Sequence, residues 1–292
     1  MKTLFIINPI AGRNKSKIIW NDIKSHINIP FDYVFTQMPG DARRFAHDAY
    51  SQGFKRVVAV GGDGTVSEVV NGIVGSDLEL GIIPAGTGND FVKTLNIPLT
   101  PKEALTVIET GKTTMVDLGK SEKGFFINVA GAGFDAEVVN TTNVDIKFLT
   151  GTPAYVSGLI INLVRYSPRE AQIEIDGEVY HRKLWLIVVA NGQYFGGGMK
   201  ISPDAVIDDG LFDICMVNSM SRLEILRFLP KVFTGAHKTH PALEVIRGRN
   251  IKIDFKTPTK VQADGEVIGN TPVSFSIVSK ALKVIRNNFT SA

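Results

Sequence analysis

Three stretches of this chain set glycine beside amide, hydroxyl or carboxylate side chains, and each follows a short apolar run. They are Asn8-Pro9-Ile10-Ala11-Gly12-Arg13, Gly61-Gly62-Asp63-Gly64-Thr65 and Gly86-Thr87-Gly88-Asn89-Asp90. Glycine lets backbone N–H groups approach an anion, and a helix opening from such a loop adds the positive end of its dipole. One loop of this kind is ordinary turn chemistry, whereas three at one sheet edge point to phosphate. The third has neither the Gly-Lys-Ser/Thr of a P-loop nor a Gly-x-Gly-x-x-Gly. Asp63 is the unusual element, since its carboxylate repels phosphate unless a cation lies between them. Mg2+ bridging triphosphate oxygens is the natural solution. A local alternative makes Asp63 the cap of the helix starting at Val66, but it explains neither the glycines nor the matching Asp90.

Strands must hold these loops. Thr3–Asn8, Phe31–Thr36, Val57–Val60 and Leu80–Ile83 read as short buried strands. Helical periodicity marks Lys15–Ile27, with Ile18, Ile19, Ile23 and Ile27 on one side, then Gly40–Gln52 and Val66–Val74. Such alternation implies a parallel sheet with right-handed crossovers, which binds ligands outside the carboxyl ends of its strands. From Thr113 the chain reads mostly as strands, punctuated by Asp176-Gly177, Asp264-Gly265 and Gly269-Asn270, with helices only near 153–166 and 221–234. The fold expected is therefore α/β plus all-β, a parallel-sheet domain followed by an antiparallel sandwich. At 292 residues the chain also exceeds the ~250 at which one core stops growing. The expected domains are 1–120 and 121–280, with 281–292 returning to the first.

Composition excludes other classes. A net charge of +3 argues against a nucleic-acid-binding arm, and a single cysteine, Cys215, against a disulfide or cysteine-rich zinc scaffold. No apolar run approaches the ~20 residues of a spanning helix, so a soluble, cytoplasmic protein is expected. The charge is uneven: residues 222–260 hold 9 basic against 3 acidic side chains. That segment is either an ordinary solvated face or one attracted to anionic lipid headgroups.

The run from Gly61 to Gly72 followed by Pro84-Ala85-Gly86-Thr87-Gly88-Asn89-Asp90-Phe91 resembles the catalytic domain of the diacylglycerol kinase family, which is related to sphingosine and ceramide kinases and is NAD kinase-like in fold. Val116-Asp117-Leu118-Gly119, Gly131–Asp135, Gly196–Met199, Asp208–Leu211, His237–Pro241 and Asp264-Gly265-Glu266 extend the likeness to soluble bacterial lipid kinases. Gly-Gly-Asp-Gly alone is shared with NAD kinases and 6-phosphofructokinases; the combination is specific. The resemblance implies an ATP- and Mg2+-dependent kinase that phosphorylates the hydroxyl of diacylglycerol to give phosphatidic acid. Phosphatidylglycerol or a sphingoid base is an alternative acceptor, and a nucleotide-binding regulator without catalysis is an alternative class.

Carried over residue by residue, the likeness assigns nucleotide contacts to Asn8, Pro9, Ile10, Ala11, Gly12, Arg13, Thr36, Gly62, Asp63, Gly64, Thr65, Val66, Ser67, Glu68, Thr87 and Lys93, in a cleft between the two domains. Arg13 stands where some relatives have lysine, and Lys93 where some have arginine. Asp63 and Asp117 would serve the catalytic Mg2+. Asp209, with the carbonyls of Val206 and Leu211, matches a second, structural Mg2+ site, although the residues alone read as a turn. Glu266 would be the general base. Asp-Gly-Glu also occurs at Asp176–Glu178, and distance from the carboxyl terminus favours the later copy. The likeness further implies a membrane lipid substrate with transient contact at the inner face of the membrane, no nucleic-acid partner, and a homodimer. His237 and His240 could form a metal pair but read better as a loop after the second helix. The helix near 153–166, with Tyr155, Val156, Leu159, Ile160 and Leu163, reads as core, or as the lining of an acyl groove.

Overall fold

A computed structural model describes residues 2–144 and 152–287. Its strands and helices alternate at first: β1 (Thr3–Ile7), α1 (Lys15–Ile23), β2 (Phe31–Phe35), α2 (Asp41–Ser51), β3 (Arg56–Gly61), α3 (Asp63–Ile73), β4 (Glu79–Pro84), α4 (Asp90–Thr94), α5 (Pro101–Thr110) and β5 (Lys112–Ser121). There follow β6 (Gly124–Phe126), β7 (Val129–Gly133), α6 (Phe134–Val144), α7 (Thr152–Arg165), β8 (Arg169–Ile175), β9 (Glu178–Ala190), β10 (Phe212–Asn218) and α8 (Arg222–Thr234). The chain ends with β11 (Leu243–Gly248), β12 (Asn250–Phe255), β13 (Lys260–Ala263), β14 (Glu266–Asn270) and β15 (Val273–Arg286). It divides into two compact units, one formed by residues up to Asp117 with those from Ser279 onward, the other by Leu118–Val278.

In the first unit β1 pairs in parallel with β2 and β3, β3 with β4, and β4 with the end of β15. The sheet order β2-β1-β3-β4 reverses direction between β1 and β3, which makes that edge a switch point. β1, β3 and β4 are buried almost throughout, as strands covered on both faces must be, while β2 is half-exposed at the edge. The helix after β1 departs from the expected pattern. Ile18 is 70% exposed, and α1 buries Ser16, Trp20 and Ile23 instead. Trp20 offers the largest apolar area, packing on Phe5, Phe31 and Tyr33, so it sets the rotation of the helix. Ile27 falls beyond the helix end.

The second unit is antiparallel throughout. β13 pairs with β14 and β7; β7, β8 and β10 all pair with β9, whose 13 residues serve different partners along its length. Alternate residues such as Ile173, Ile187, Ile214, Ile253 and Phe275 fill one core. On the other face, Val188, Cys215, Trp185 and Val217 pack under α6, α7 and α8. The expectation of only two helices here is corrected by α6, which takes up Phe134–Val144 directly after β7. Its β-branched residues and asparagines are poor helix formers, but Phe134, Ala136, Val138 and Val139 are all buried. Packing overrides propensity. The short strands β6 and β7 are separated by a break at Ile127 and Asn128.

Gly72, at the end of the glycine motif, serves packing. A Cβ there would lie 2.5 Å from the Arg43 carbonyl oxygen and 2.7 Å from the Ala46 Cβ, both on α2. Gly72→Ala is expected to lower stability by about 1–3 kcal/mol through overpacking. A urea titration would show a lower midpoint at unchanged slope; an unchanged midpoint would mean that α2 and α3 separate without cost.

Candidate active site

The three glycine-bearing loops leave the ends of β1, β3 and β4, which lie side by side with β3 in the middle. They are also bonded to one another. Asn8 donates its side-chain amide to the Thr65 hydroxyl at 3.0 Å, and Ala85 N–H donates to the Gly61 carbonyl at 2.8 Å. After β1 the backbone turns left-handed at Gly12, Arg13 and Asn14. At Gly12 a Cβ would stand 2.1 Å from the Ala85 carbonyl oxygen, so this loop tolerates only glycine. The second and third loops meet backbone to backbone, since a Cβ on Gly86 would lie 2.5 Å from the Gly62 Cα.

α3 begins at Asp63, inside the stretch expected to be loop, and Gly62 at its cap supplies no side chain. Its first-turn N–H groups are therefore available to a ligand. The Asp63 carboxylate does not cap its own helix. It accepts the Phe91 N–H at 3.1 Å, and the Asn89 and Asp90 amides also point to it, so it caps α4. Desolvation pushes the Asp63 carboxyl above its usual range, against the pull of those three amides and of Lys93. A carboxylate has about four lone-pair sites; three amides leave roughly one for a cation. Asp63 thus fits a single contact to a divalent ion carried by a phosphate ligand, and does not fit a chelating cage.

The other nucleotide candidates fall into two groups. Asn8, Pro9, Ile10, Ala11, Gly12, Arg13, Gly62 and Thr87 lie on the three loops and Gly64 and Thr65 in the first turn of α3, with Ile10, Arg13, Gly64 and Thr87 exposed. Thr36, just past β2, donates its N–H to the Ile7 carbonyl at 2.9 Å. Val66 is buried in the core, and the Glu68 carboxylate accepts the Ala42 N–H at 3.1 Å, which ties α3 to the start of α2. Lys93 lies on α4 with its ammonium 3.7 Å from Asp90. Asp117 is fully buried and accepts the Lys280 N–H at 2.7 Å, at a point where Lys280 has positive φ.

In the second unit the two Asp-Gly-Glu tripeptides form the same hairpin. Asp176 and Asp264 have φ of 48° and 47°, followed by glycines at 92° and 86°, the signature of a type I′ turn. Each aspartate clasps backbone across the turn. Asp176 accepts the Arg249 and Asn250 N–H groups, both at 2.8 Å; Asp264 accepts those of Ile127, Asn128 and Val129 at 2.7, 2.9 and 3.2 Å. The glutamates differ. Glu178 is bound by the Tyr180 hydroxyl at 2.6 Å, whereas Glu266 has no hydrogen bond or ion pair among the described residues. Surrounding protein partly desolvates Glu266 and raises its carboxyl above the usual value. That is the condition a proton acceptor needs.

A buried relay behind Glu266 was not legible as such. Asp135, 3% exposed, accepts the Gln262 side-chain amide at 3.1 Å, and Gln262 in turn accepts the Gly265 N–H at 3.0 Å. The other Asp135 oxygen has no partner among the described residues. Gly131 accommodates this aspartate, since a Cβ there would lie 2.2 Å from its Oδ2. Burial pushes the Asp135 carboxyl up to about 7.

The remaining metal candidates do not converge. Asp209 accepts the Leu211 N–H at 3.0 Å and forms an ion pair with Arg247. Val206 is exposed. A ring nitrogen of His237 bonds the Ile201 carbonyl, and His240 accepts the Ala242 N–H, with Phe228 against both rings. Among the described residues no group of three or more His, Cys, Asp or Glu side chains could hold a metal ion.

Two families match the chain. The diacylglycerol kinase catalytic domain matches residues 2–121, and the YegS C-terminal NAD kinase beta sandwich-like domain matches residues 128–286. A diacylglycerol kinase of Mycobacterium tuberculosis is 34% identical over 253 residues, covering 84% of this chain and 81% of the relative. One from Bacillus subtilis is 32% identical over 254 residues, with 86% and 84% covered. The crystal structure of a diacylglycerol kinase from Bacillus anthracis superposes with a TM-score of 0.77 at 26% identity, over 98% of this chain and 97% of that one.

Asp135 generates a pH prediction. An unfolded carboxyl titrates near 3.8 and this one near 7, so the folded state holds the extra proton between those values. The contribution of Asp135 to stability is then largest below about pH 4, falls by up to about 4 kcal/mol as pH rises to 7, and levels off above. Asp135→Asn keeps an acceptor for Gln262 and should flatten that slope. Urea titrations at pH 5 and pH 7.5 measure it, and an equal slope in both proteins would exclude Asp135 as its source.

Proposed function

From the premise that the chain belongs to the diacylglycerol kinase family of lipid kinases, we propose that it transfers the γ-phosphoryl group of ATP to the hydroxyl of diacylglycerol, giving phosphatidic acid and ADP. The observation that carries this reading is the set of three mutually bonded loops at the ends of β1, β3 and β4, opening onto the uncapped first turn of α3. Backbone N–H groups there suit the triphosphate, and Lys93 and Arg13 add positive charge nearby in sequence. Mg2+, arriving with the nucleotide, would neutralise charge on the β- and γ-oxygens. Asp63 would hold it by its remaining lone pair, and its main service to the site is to fix the third loop against the second.

Glu266 is the general base in this reading. Its carboxylate takes the hydroxyl proton as the oxygen attacks the γ-phosphorus, while the bond from phosphorus to the bridging oxygen breaks and ADP leaves. The clasp of Asp264 on three backbone amides holds the hairpin that carries it, and the lack of a partner among the described residues leaves it ready to accept. No helix among the described residues is long and apolar enough to cross a membrane, which agrees with an enzyme that visits the inner face of the membrane from the cytoplasm.

Radiolabelled ATP offered with mixed micelles of diacylglycerol, phosphatidylglycerol or a sphingoid base tests the acceptor. Label is expected in phosphatidic acid, and ATP binding without any labelled lipid would leave a nucleotide-binding regulator instead. Glu266→Gln should lower kcat by about 100-fold or more with little change in KM for ATP. In the unaltered enzyme kcat should fall as acid protonates Glu266, through a pKa above the 4.5 of an ordinary glutamate. Turnover of the variant within a few-fold of the parent would remove Glu266 from this role.

A further inference from the structure

Four of the nine cations in the basic stretch at 222–260 are paired with carboxylates in the fold. Lys238 pairs with Asp204, Arg247 with Asp209 and Asp213, Lys256 with Glu170, and Lys260 with Glu137. Arg222 donates to the Leu163 carbonyl at 2.8 Å and to those of Val164 and Tyr166, closing the end of α7. Arg227 and Lys231, both exposed on α8, have no carboxylate partner within 4.0 Å among the described residues, and neither has Arg165 at the end of α7. Glu224, the acid on α8, is held in a capping box with Ser221.

The same two helices carry an apolar stripe. α7 and α8 bury Leu159, Leu163 and Ile225 in one cluster, so their opposite faces look outward. On α7 these faces hold Ile160, Ile161 and Val164, the last 74% exposed; on α8 they hold Leu223, 56% exposed, and Leu226. Ile160, on the helix that reads from its sequence as core or as the lining of an acyl groove, is at the surface. Arg222 donates to the Val164 carbonyl, so the first turn of α8 starts within an arginine's reach of the end of α7. Scattered surface leucines need no explanation, but apolar rows on two helices that share one buried cluster, accompanied by unneutralised cations, do.

We propose that the outward faces of α7 and α8 are the surface by which this protein rests on an anionic lipid bilayer. Ile160, Val164, Leu223 and Leu226 would enter the headgroup boundary, and Arg165, Arg227 and Lys231 would lie against lipid phosphates. A second copy of the chain is a poorer occupant, because a two-fold contact would set these cations against themselves. The inference rests on the lipid-kinase reading, which supplies the reason to visit a membrane.

Co-sedimentation of the full chain with vesicles of phosphatidylcholine alone, or mixed with phosphatidylglycerol, tests it. Binding should favour the anionic vesicles and weaken with salt. Val164→Gln, Leu223→Gln and Leu226→Gln together should lower the partition coefficient at least about tenfold. Arg227→Glu with Lys231→Glu should lower it by a similar factor on anionic vesicles only. Both variants should phosphorylate short-chain diacylglycerol in detergent micelles at the parent's rate, which shows that they are folded. Three results would overturn the proposal: variants that sediment with vesicles as the parent does, a parent that ignores lipid charge, or a parent dimer that the apolar variant dissociates. If the parent labels no lipid even in micelles, the kinase reading fails, whatever the vesicles show.

Discussion

A carboxylate that caps a helix other than its own governs the glycine-loop end of the first unit. Asp63 is the first residue of α3, but its oxygens point to the amides of Asn89, Asp90 and Phe91 at the start of α4. That contact draws the loop after β4 against the loop after β3 until their backbones touch, and only glycine at 62 and 86 permits the approach. Gly12 presses on Ala85 from the third side in the same way. The loops are therefore shaped by one another before any ligand arrives. A site made in advance spares binding the cost of ordering loops, and preorganised donors are what phosphoryl transfer chiefly requires.

The second unit repeats this device with a different element. Asp264 closes a hairpin by accepting three amides from the segment between β6 and β7, and the buried pair of Asp135 and Gln262 secures the glycine of the same turn. The hairpin at Asp176 is its twin in backbone and clasp, yet its glutamate is occupied by Tyr180. The two turns thus differ by a single hydrogen bond to the glutamate. Rigid support around a carboxylate that has no partner among the described residues holds it in place without satisfying it.

Much of this could be read from residue order. Glycines at the ends of apolar runs located all three loops, because the steric demand they answer is local. The partners of Asp63 and Glu68 could not be read, since they stand 28 and 26 residues away and are defined only by packing. α6 escaped because its residues favour strand or turn and the helix exists through burial of Phe134 and Val138. α5 carried a fair signal, proline at its first turn after Thr100, that the strand-rich texture beyond it obscured. Charge misled for a related reason: a sum along the chain cannot see that Glu137, Glu170, Asp204, Asp209 and Asp213, all upstream, pair with four of the nine cations of 222–260.

The edge of the first sheet has a bearing on how the protein is made. β4 receives its outer neighbour from Lys283 and Val284, some two hundred residues later in the chain. During synthesis from the amino terminus, β1 to β4 and their helices emerge together, but the flank of β4 must wait until β15 has been made. Through that interval an apolar strand with unpaired amides stands open to any other extended segment. β15 acts as a latch on a unit whose other strands are long complete, so a change at Lys283 or Val284 would be felt at a strand some two hundred residues earlier in the chain.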